Sequence, residues 1–271
     1  MLPKAIESAT AQTYADKVIV VFDDASTDGT PLLQKEYPAV HWIVSAIPRG
    51  LMYARNLFLD FEKAELFCSL DDDAWFLSNQ SLEVAIAYLA QNPSVGAIAF
   101  DILSPDDHPD KKRDATVSYH ETNLYIGCGH ILRIDCAKQA GGYLKSPGFY
   151  GSEEKDLCIR LIDQGYSIVK AQGLYVWHDK TTVSRDIGKQ HRSGVCNDLV
   201  FTYRRAPWMF LLPVLAYKFL SHFRFSLFYK KAKLIRPCLQ GFFDFIKFLF
   251  SSNKQRQPVS AAAYKKFMQF N

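Results

Sequence analysis

Leu66-Phe67-Cys68-Ser69-Leu70-Asp71-Asp72-Asp73-Ala74-Trp75 is the stretch that decides the fold. Five uncharged, largely apolar residues run straight into three consecutive acids, which reads as a buried parallel strand delivering carboxylates to its carboxyl end. The same pattern stands upstream, where an apolar run closes on Asp23-Asp24 in VVFDDASTDGT. A third cluster, Glu153, Glu154 and Asp156 in GFYGSEEKDLCIRL, is followed by His178 in YVWHDK. Ligands of open α/β sheets gather at that strand edge. Carboxylates crowded together repel one another and normally hold a cation or share a proton, so the clustering implies a metal-assisted site.

Working outward, Leu2 to Gln12 has helical spacing, Lys17 to Phe22 and Val40 to Val44 read as strands, and Leu51 to Phe61 as a helix. With Leu66 to Leu70 this makes β-α-β-α-β. The helix Leu82 to Ala90 and the buried strand Val95 to Phe100 complete a doubly wound nucleotide-binding half. Asp101 to Ser118 is polar and rich in turn residues, a surface loop. Gly127, Cys128 and Gly129 form a small-residue turn before HILRIDCAKQAGGY, a short helix ended by a double glycine. Glu153 to Gln164 is helical, with its acids at the amino end, where the helix dipole favours negative charge. Tyr166 to Val169 and Leu174 to Trp177 read as two short strands, the second leading to His178.

Of the 271 residues, 48% are hydrophobic, enough to bury a full core. The net charge of +4 conceals an asymmetry: residues 201–271 hold 13 Lys and Arg against the single acid Asp244, and 13 of the 20 Phe. The sequence therefore divides into a catalytic domain over 1–190 and a helical, basic, aromatic extension over 191–271. Basic and aromatic side chains interleaved in this way suit an anionic membrane surface or nucleic acid. The acidic first part would repel a phosphate backbone, which disfavours nucleic acid. WMFLLPVLAYKFL and FFDFIKFLF are too short or too interrupted to span a bilayer, so lying on the membrane is the expectation, with packing against the catalytic domain or a second subunit as its alternative. Six singly scattered cysteines and a start without a cleavable leader pattern point to reduced thiols and a cytoplasmic protein, peripheral on the inner face of the cell membrane.

The strings AIESATAQTY, VVFDDASTDGT, RGLMYARN, SLDDDAW, IGCGH, GGYLKSPGFYGSEEKDLCIRLIDQGY and VWHDK, in that order across about residues 3–180, resemble the inverting glycosyltransferases of family 2. The resemblance implies a GT-A fold, a Rossmann-like, mostly parallel sheet flanked by helices. The tail is similar to that of bacterial members that extend surface polysaccharide or lipopolysaccharide. The family's usual first strand and T-x-N-like turn have no counterpart before Leu2, so the resemblance begins one strand late.

The resemblance also implies roles. Asp23, Asp24, Arg55 and Asp72 would bind the nucleotide of a UDP- or dTDP-sugar. Asp71 and Asp73 match the D-x-D pair that anchors Mg2+ or Mn2+, with His178 beside them. The base that deprotonates the acceptor would be Glu154, with Glu153 competing because the family usually has Asp there. Gly151, Asp156 and Arg160 would lie toward a saccharide or lipid-linked acceptor. Two rivals are weaker. An inactive or fragmentary membrane-associated relative fits the late start, and STDGT echoes a phosphatase loop in which Ser26 stands where the nucleophilic Asp would be.

Overall fold

The computed structural model describes residues 1–61, 64–107, 116–148, 151–180, 186–229, 232–252 and 254–270. The chain forms two compact units. One comprises Met1–Gly142 with Tyr166–Lys180, the other Tyr143–Gly165 with Thr181–Asn271.

The first unit holds α1 (Leu2–Thr10), β1 (Val20–Asp23), α2 (Thr30–Glu36), β2 (His41–Val44), α3 (Leu51–Leu59), β3 (Leu66–Leu70), β4 (Ala74–Phe76), α4 (Ser81–Gln91), β5 (Val95–Leu103), β6 (Ser118–Thr122), β7 (Gly129–Arg133) and α5 (Ile134–Gln139). Its last strand is β8 (Ser167–His178). Six strands make one sheet in the order β3-β7-β5-β8-β4, with β6 also on β8; β1 and β2 form a separate parallel pair. The sheet is mixed. Its longest pairing, β5 with β8, is parallel, and β7 runs antiparallel to both β3 and β5. A core of Phe76, Leu89, Ile98, Phe100, Ile131, Val169 and Val176 fills the space between sheet and α4.

The strand Leu66–Leu70 has the expected bounds but not the expected setting. Its only described partner is antiparallel β7, and four of its five residues are half-buried. The physical reason is β7, which sequence reading took for part of a helix. Its run Gly129–Arg133 is almost wholly buried, and it inserts between β3 and β5 in the opposite direction. The polar segment after Asp101 also departs from expectation, because β5 continues to Leu103 and β6 begins at Ser118; residues 108–115 lie outside the described part of the chain.

The stretches read as two strands, Tyr166–Val169 and Leu174–Trp177, are one strand with a bulge. Phe100 pairs with Ala171 but Asp101 pairs with Tyr175, so three residues of β8 stand out of register. Gly173 occupies the bulge at φ +96°, a left-handed conformation that suits glycine, and its N–H donates to Asp101 Oδ2 at 3.0 Å. Past the bulge, β8 pairs antiparallel with β4 in a register that sets His178 opposite Ala74.

The second unit contains α6 (Glu153–Asp163), α7 (Ile187–Arg205), α8 (Trp208–Phe228), α9 (Ile235–Leu249) and α10 (Ala261–Met268). Its core joins Val195, Leu199 and Val200 of α7 to Cys238, Phe245 and Phe248 of α9. Gly241 permits that approach: a Cβ there would stand 2.4 Å from the Arg192 carbonyl oxygen. Among the described residues no helix is long and apolar enough to cross a membrane.

Candidate active site

The acid triplet forms the turn between β3 and β4. The Ala74 N–H donates to the Asp71 carbonyl at 3.0 Å, and the Asp179 N–H donates to the Asp73 carbonyl at 2.8 Å. Asp72 points to solvent, while Asp71 and Asp73 are half-buried. The register between β4 and β8 brings His178 Nε2 to 3.2 Å from Asp73 Oδ1. The other ring nitrogen, Nδ1, lies 3.4 Å from Cys128 Sγ. One ligand atom each from Asp71, Cys128 and His178 falls within 4.8 Å of the others.

This geometry orients the imidazole. A carboxylate only accepts, so Nε2–H donates to Asp73, which turns Nδ1 toward the Cys128 sulfur. Burial, reinforced by the charges of Asp71 and Asp73, pushes the Cys128 thiol up to about 12, so the thiol is protonated and can donate to Nδ1. Nothing in the sequence distinguishes Cys128 except its place in the small-residue turn. That turn is held from behind by His130, which hydrogen-bonds the Ile126 carbonyl at 3.1 Å and stacks on Tyr125 at 4.1 Å between centroids. Burial and the Arg55 charge push His130 down to about 3, so it is a neutral structural ring.

Asp23 and Asp24 end β1 and are engaged by backbone. Asp23, buried, accepts the Ser26 N–H at 2.8 Å; Asp24 accepts the Arg49 N–H at 2.6 Å and the Gly50 N–H at 2.9 Å. Asp24 thereby ties the end of β1 to the start of α3, which carries the buried Arg55. Ala25, the residue after these acids, has φ +62°. A non-glycine residue in that region stores strain of the kind found at functional sites.

The second unit shows the same feature before its acids. Gly151 at φ +94° and Ser152 at φ +75° lead into α6. Asn197 of α7 holds this entry, accepting the Gly148 N–H at 2.8 Å and donating to the carbonyls of Gly148 at 3.2 Å and Gly151 at 3.0 Å. Glu153 is buried and Glu154 half-buried. Asp156 is committed: one oxygen takes Arg205 Nε at 2.6 Å, the other takes Arg160 NH2 at 2.8 Å, and all three side chains are buried. Two anchors of α6 thus come from α7 residues, Asn197 and Arg205, that sequence patterns did not single out.

A third anchor is Asp198, whose carboxylate receives Lys155 Nζ at 2.5 Å, His222 Nε2 at 3.1 Å and Lys218 Nζ at 3.3 Å. Burial alone would raise this carboxyl, but the His222 hydrogen bond and the Lys155 and Lys218 charges hold it well below the carboxylate range.

The glycosyl transferase family 2 model matches residues 1–139. The chain belongs to glycosyl transferase family 2. No curated protein sequence matches it. Its fold is similar to that of the mannosyltransferase PcManGT from Pyrobaculum calidifontis, solved with GDP-Man and Mn2+, at 15% identity and a TM-score of 0.60, covering 90% of this chain and 83% of that one. It is also similar to residues 1–349 of TarS from S. aureus, at 15% identity and a TM-score of 0.63, covering 91% and 76%. The complex of that TarS fragment with UDP-GlcNAc gives 17% identity and a TM-score of 0.62, covering 91% and 77%. These likenesses establish the GT-A fold, and the family match makes the chain a glycosyltransferase.

Folding holds Asp198 below its unfolded value of about 3.9, so its stabilisation is complete above about pH 4 and is lost as the pH falls further toward the folded value. Asp198→Asn is expected to lower stability at pH 7 by about 3–5 kcal/mol, because Lys155 is left buried without its counter-charge. The variant should also lose less stability than the parent below pH 4. Urea melts across pH 2–8 check this, and two parallel pH profiles would contradict it.

Proposed function

We propose that this glycosyltransferase inverts configuration, moving a sugar from a UDP- or dTDP-linked donor to a saccharide or lipid-linked acceptor in bacterial surface glycan synthesis. The observation that carries the reading is the convergence of Asp71, Asp73 and His178 where β3 and β8 end and β4 begins. Oxygen from Asp71 and nitrogen from His178 are donor types that suit a divalent ion such as Mn2+, and carboxylate oxygen suits Mg2+. When bound, the ion supplies Lewis-acid charge that compensates the departing nucleoside diphosphate. PcManGT with GDP-Man and Mn2+, and TarS with UDP-GlcNAc, support a nucleotide-sugar donor and a metal.

In this reading Asp23 and Arg55 line the nucleotide's base, with Asp24 acting through the Arg49–Gly50 backbone it clamps, and Asp72 contributes from its exposed position. Glu154, less buried than Glu153, takes the acceptor hydroxyl's proton as that oxygen attacks the anomeric carbon. The anomeric C–O bond to the diphosphate breaks and its electron pair leaves with the nucleotide. Gly151, Asp156 and Arg160 serve the acceptor end of the reaction by fixing the entry and axis of α6, so that Glu154 is presented in one orientation.

The exposed apolar residues of the second unit support attachment to an anionic membrane on its cytoplasmic side. Trp208, Leu212, Tyr217, Leu220 and Phe228 of α8 are exposed. On α9 the exposed residues Arg236, Leu239, Phe243 and Lys247 recur at helical spacing, a basic and apolar stripe suited to lipid headgroups. Leu212→Glu with Phe243→Glu should abolish co-sedimentation with anionic vesicles while leaving the melting temperature unchanged. Undiminished sedimentation, or binding to oligonucleotides instead, would count against a membrane surface.

The catalytic assignment is tested by turnover of UDP- and dTDP-sugars with Mg2+ or Mn2+. Glu154→Gln should reduce kcat by about 10²–10⁴-fold, the usual worth of a general base. Retained turnover in that variant would move the base to Glu153.

A further inference from the structure

We propose that Cys128 is a ligand of the cation site, which makes it a mixed oxygen, nitrogen and sulfur centre that selects Zn2+ or Co2+ over Mg2+. The inference rests on the reading that the acids after β3 hold a divalent ion, and it adds a residue that neither the D-x-D pattern nor the comparisons assign.

Three observations carry it. Cys128 Sγ, an oxygen of Asp71 and a ring nitrogen of His178 lie within 4.8 Å of one another, a compact donor set among the described residues. The sulfur and Nδ1 are 3.4 Å apart. Bonds of about 2.3 Å to sulfur and 2.0–2.1 Å to nitrogen at the tetrahedral angle place those atoms about 3.5 Å apart, so the pair already has the spacing of one edge of a zinc-type site. Finally, Asp73 sits on the far ring nitrogen at 3.2 Å. A carboxylate in that place fixes the tautomer and turns the Nδ1 lone pair toward the ion, the arrangement by which outer carboxylates support ligating histidines. Asp71 is half-buried beside them.

The role of Asp73 therefore shifts from direct ligand to the partner that orients His178. Three protein ligands leave a fourth position for a diphosphate oxygen, as in catalytic rather than structural sites. On binding, the Cys128 thiol releases its proton to solvent and its sulfur donates an electron pair to the ion. Thiolate and imidazole favour borderline and soft ions, whereas Mg2+ requires oxygen and keeps its water.

The test uses the full chain loaded with Co2+. A near-ultraviolet thiolate-to-cobalt charge-transfer band is expected, persisting in excess Mg2+. It should vanish in Cys128→Ser and survive in Cys68→Ser. Co2+ affinity in Cys128→Ser should drop by at least the roughly 10–100-fold that even outer partners of a metal site are worth. Should the serine variant fold poorly, X-ray absorption of the zinc-loaded parent gives an independent answer: one sulfur neighbour at about 2.3 Å supports the proposal. Cobalt bound without the band or a sulfur neighbour overturns the ligand assignment while leaving the divalent site intact. A band that persists in Cys128→Ser also overturns it. No cobalt binding at all overturns both this proposal and the cation reading beneath it.

Discussion

The contact between His178 and Asp73 is the constraint on which the first unit turns. Three acids in a tight turn cannot be brought together without something to offset their repulsion. The protein meets this in part with an imidazole that donates to one of the carboxylates and turns its other nitrogen to a thiol. That placement depends on β8 keeping its parallel partner β5 while its other edge passes from antiparallel β6 to antiparallel β4. The change of partner falls at the bulge around Gly173, whose N–H is tethered to Asp101. A single backbone irregularity well before His178 therefore governs which side chain meets the acid triplet.

The helical unit solves a related problem for α6. Its first turn carries Glu153, Glu154 and Asp156, and its entry passes through left-handed backbone at Gly151 and Ser152. The helix is restrained through charge. Asp156 is sandwiched between Arg160 and Arg205, Lys155 reaches Asp198, and Asn197 grips the entry loop. Buried ion pairs of this kind add little net stability over an apolar core, but losing one partner is costly. Their effect is specificity of geometry: with Asp156 and Lys155 both committed, Glu154 is the acid of that turn left with the most solvent contact.

Much of this was legible in the residues. The apolar run predicts the strand Leu66–Leu70 with its observed bounds, helical spacing predicts the helix over 82–90 to within a residue, and the three acid clusters fall at the ends of the elements that carry them. The losses have physical causes. β4 is three residues long and β6 mixes polar and aromatic residues, so neither has a periodic signal. β7 was hidden because HILR adjoins a genuine helix at Ile134, and its insertion is what makes β3 antiparallel. The break between Val169 and Leu174 is a bulge within one strand and not a gap between two, and Gly173 marks either equally well. Cys128 and Asn197 act through partners 50 and 46–49 residues away, a separation no local pattern encodes.

The account stands on a cation at the end of β3. Its most direct test is an anomalous difference map from a crystal of the full chain grown with Mn2+ and a nucleoside diphosphate. The expected result is one strong peak within bonding distance of Asp71 and His178 with the diphosphate against it. Nucleotide bound with no peak at that position would contradict the account.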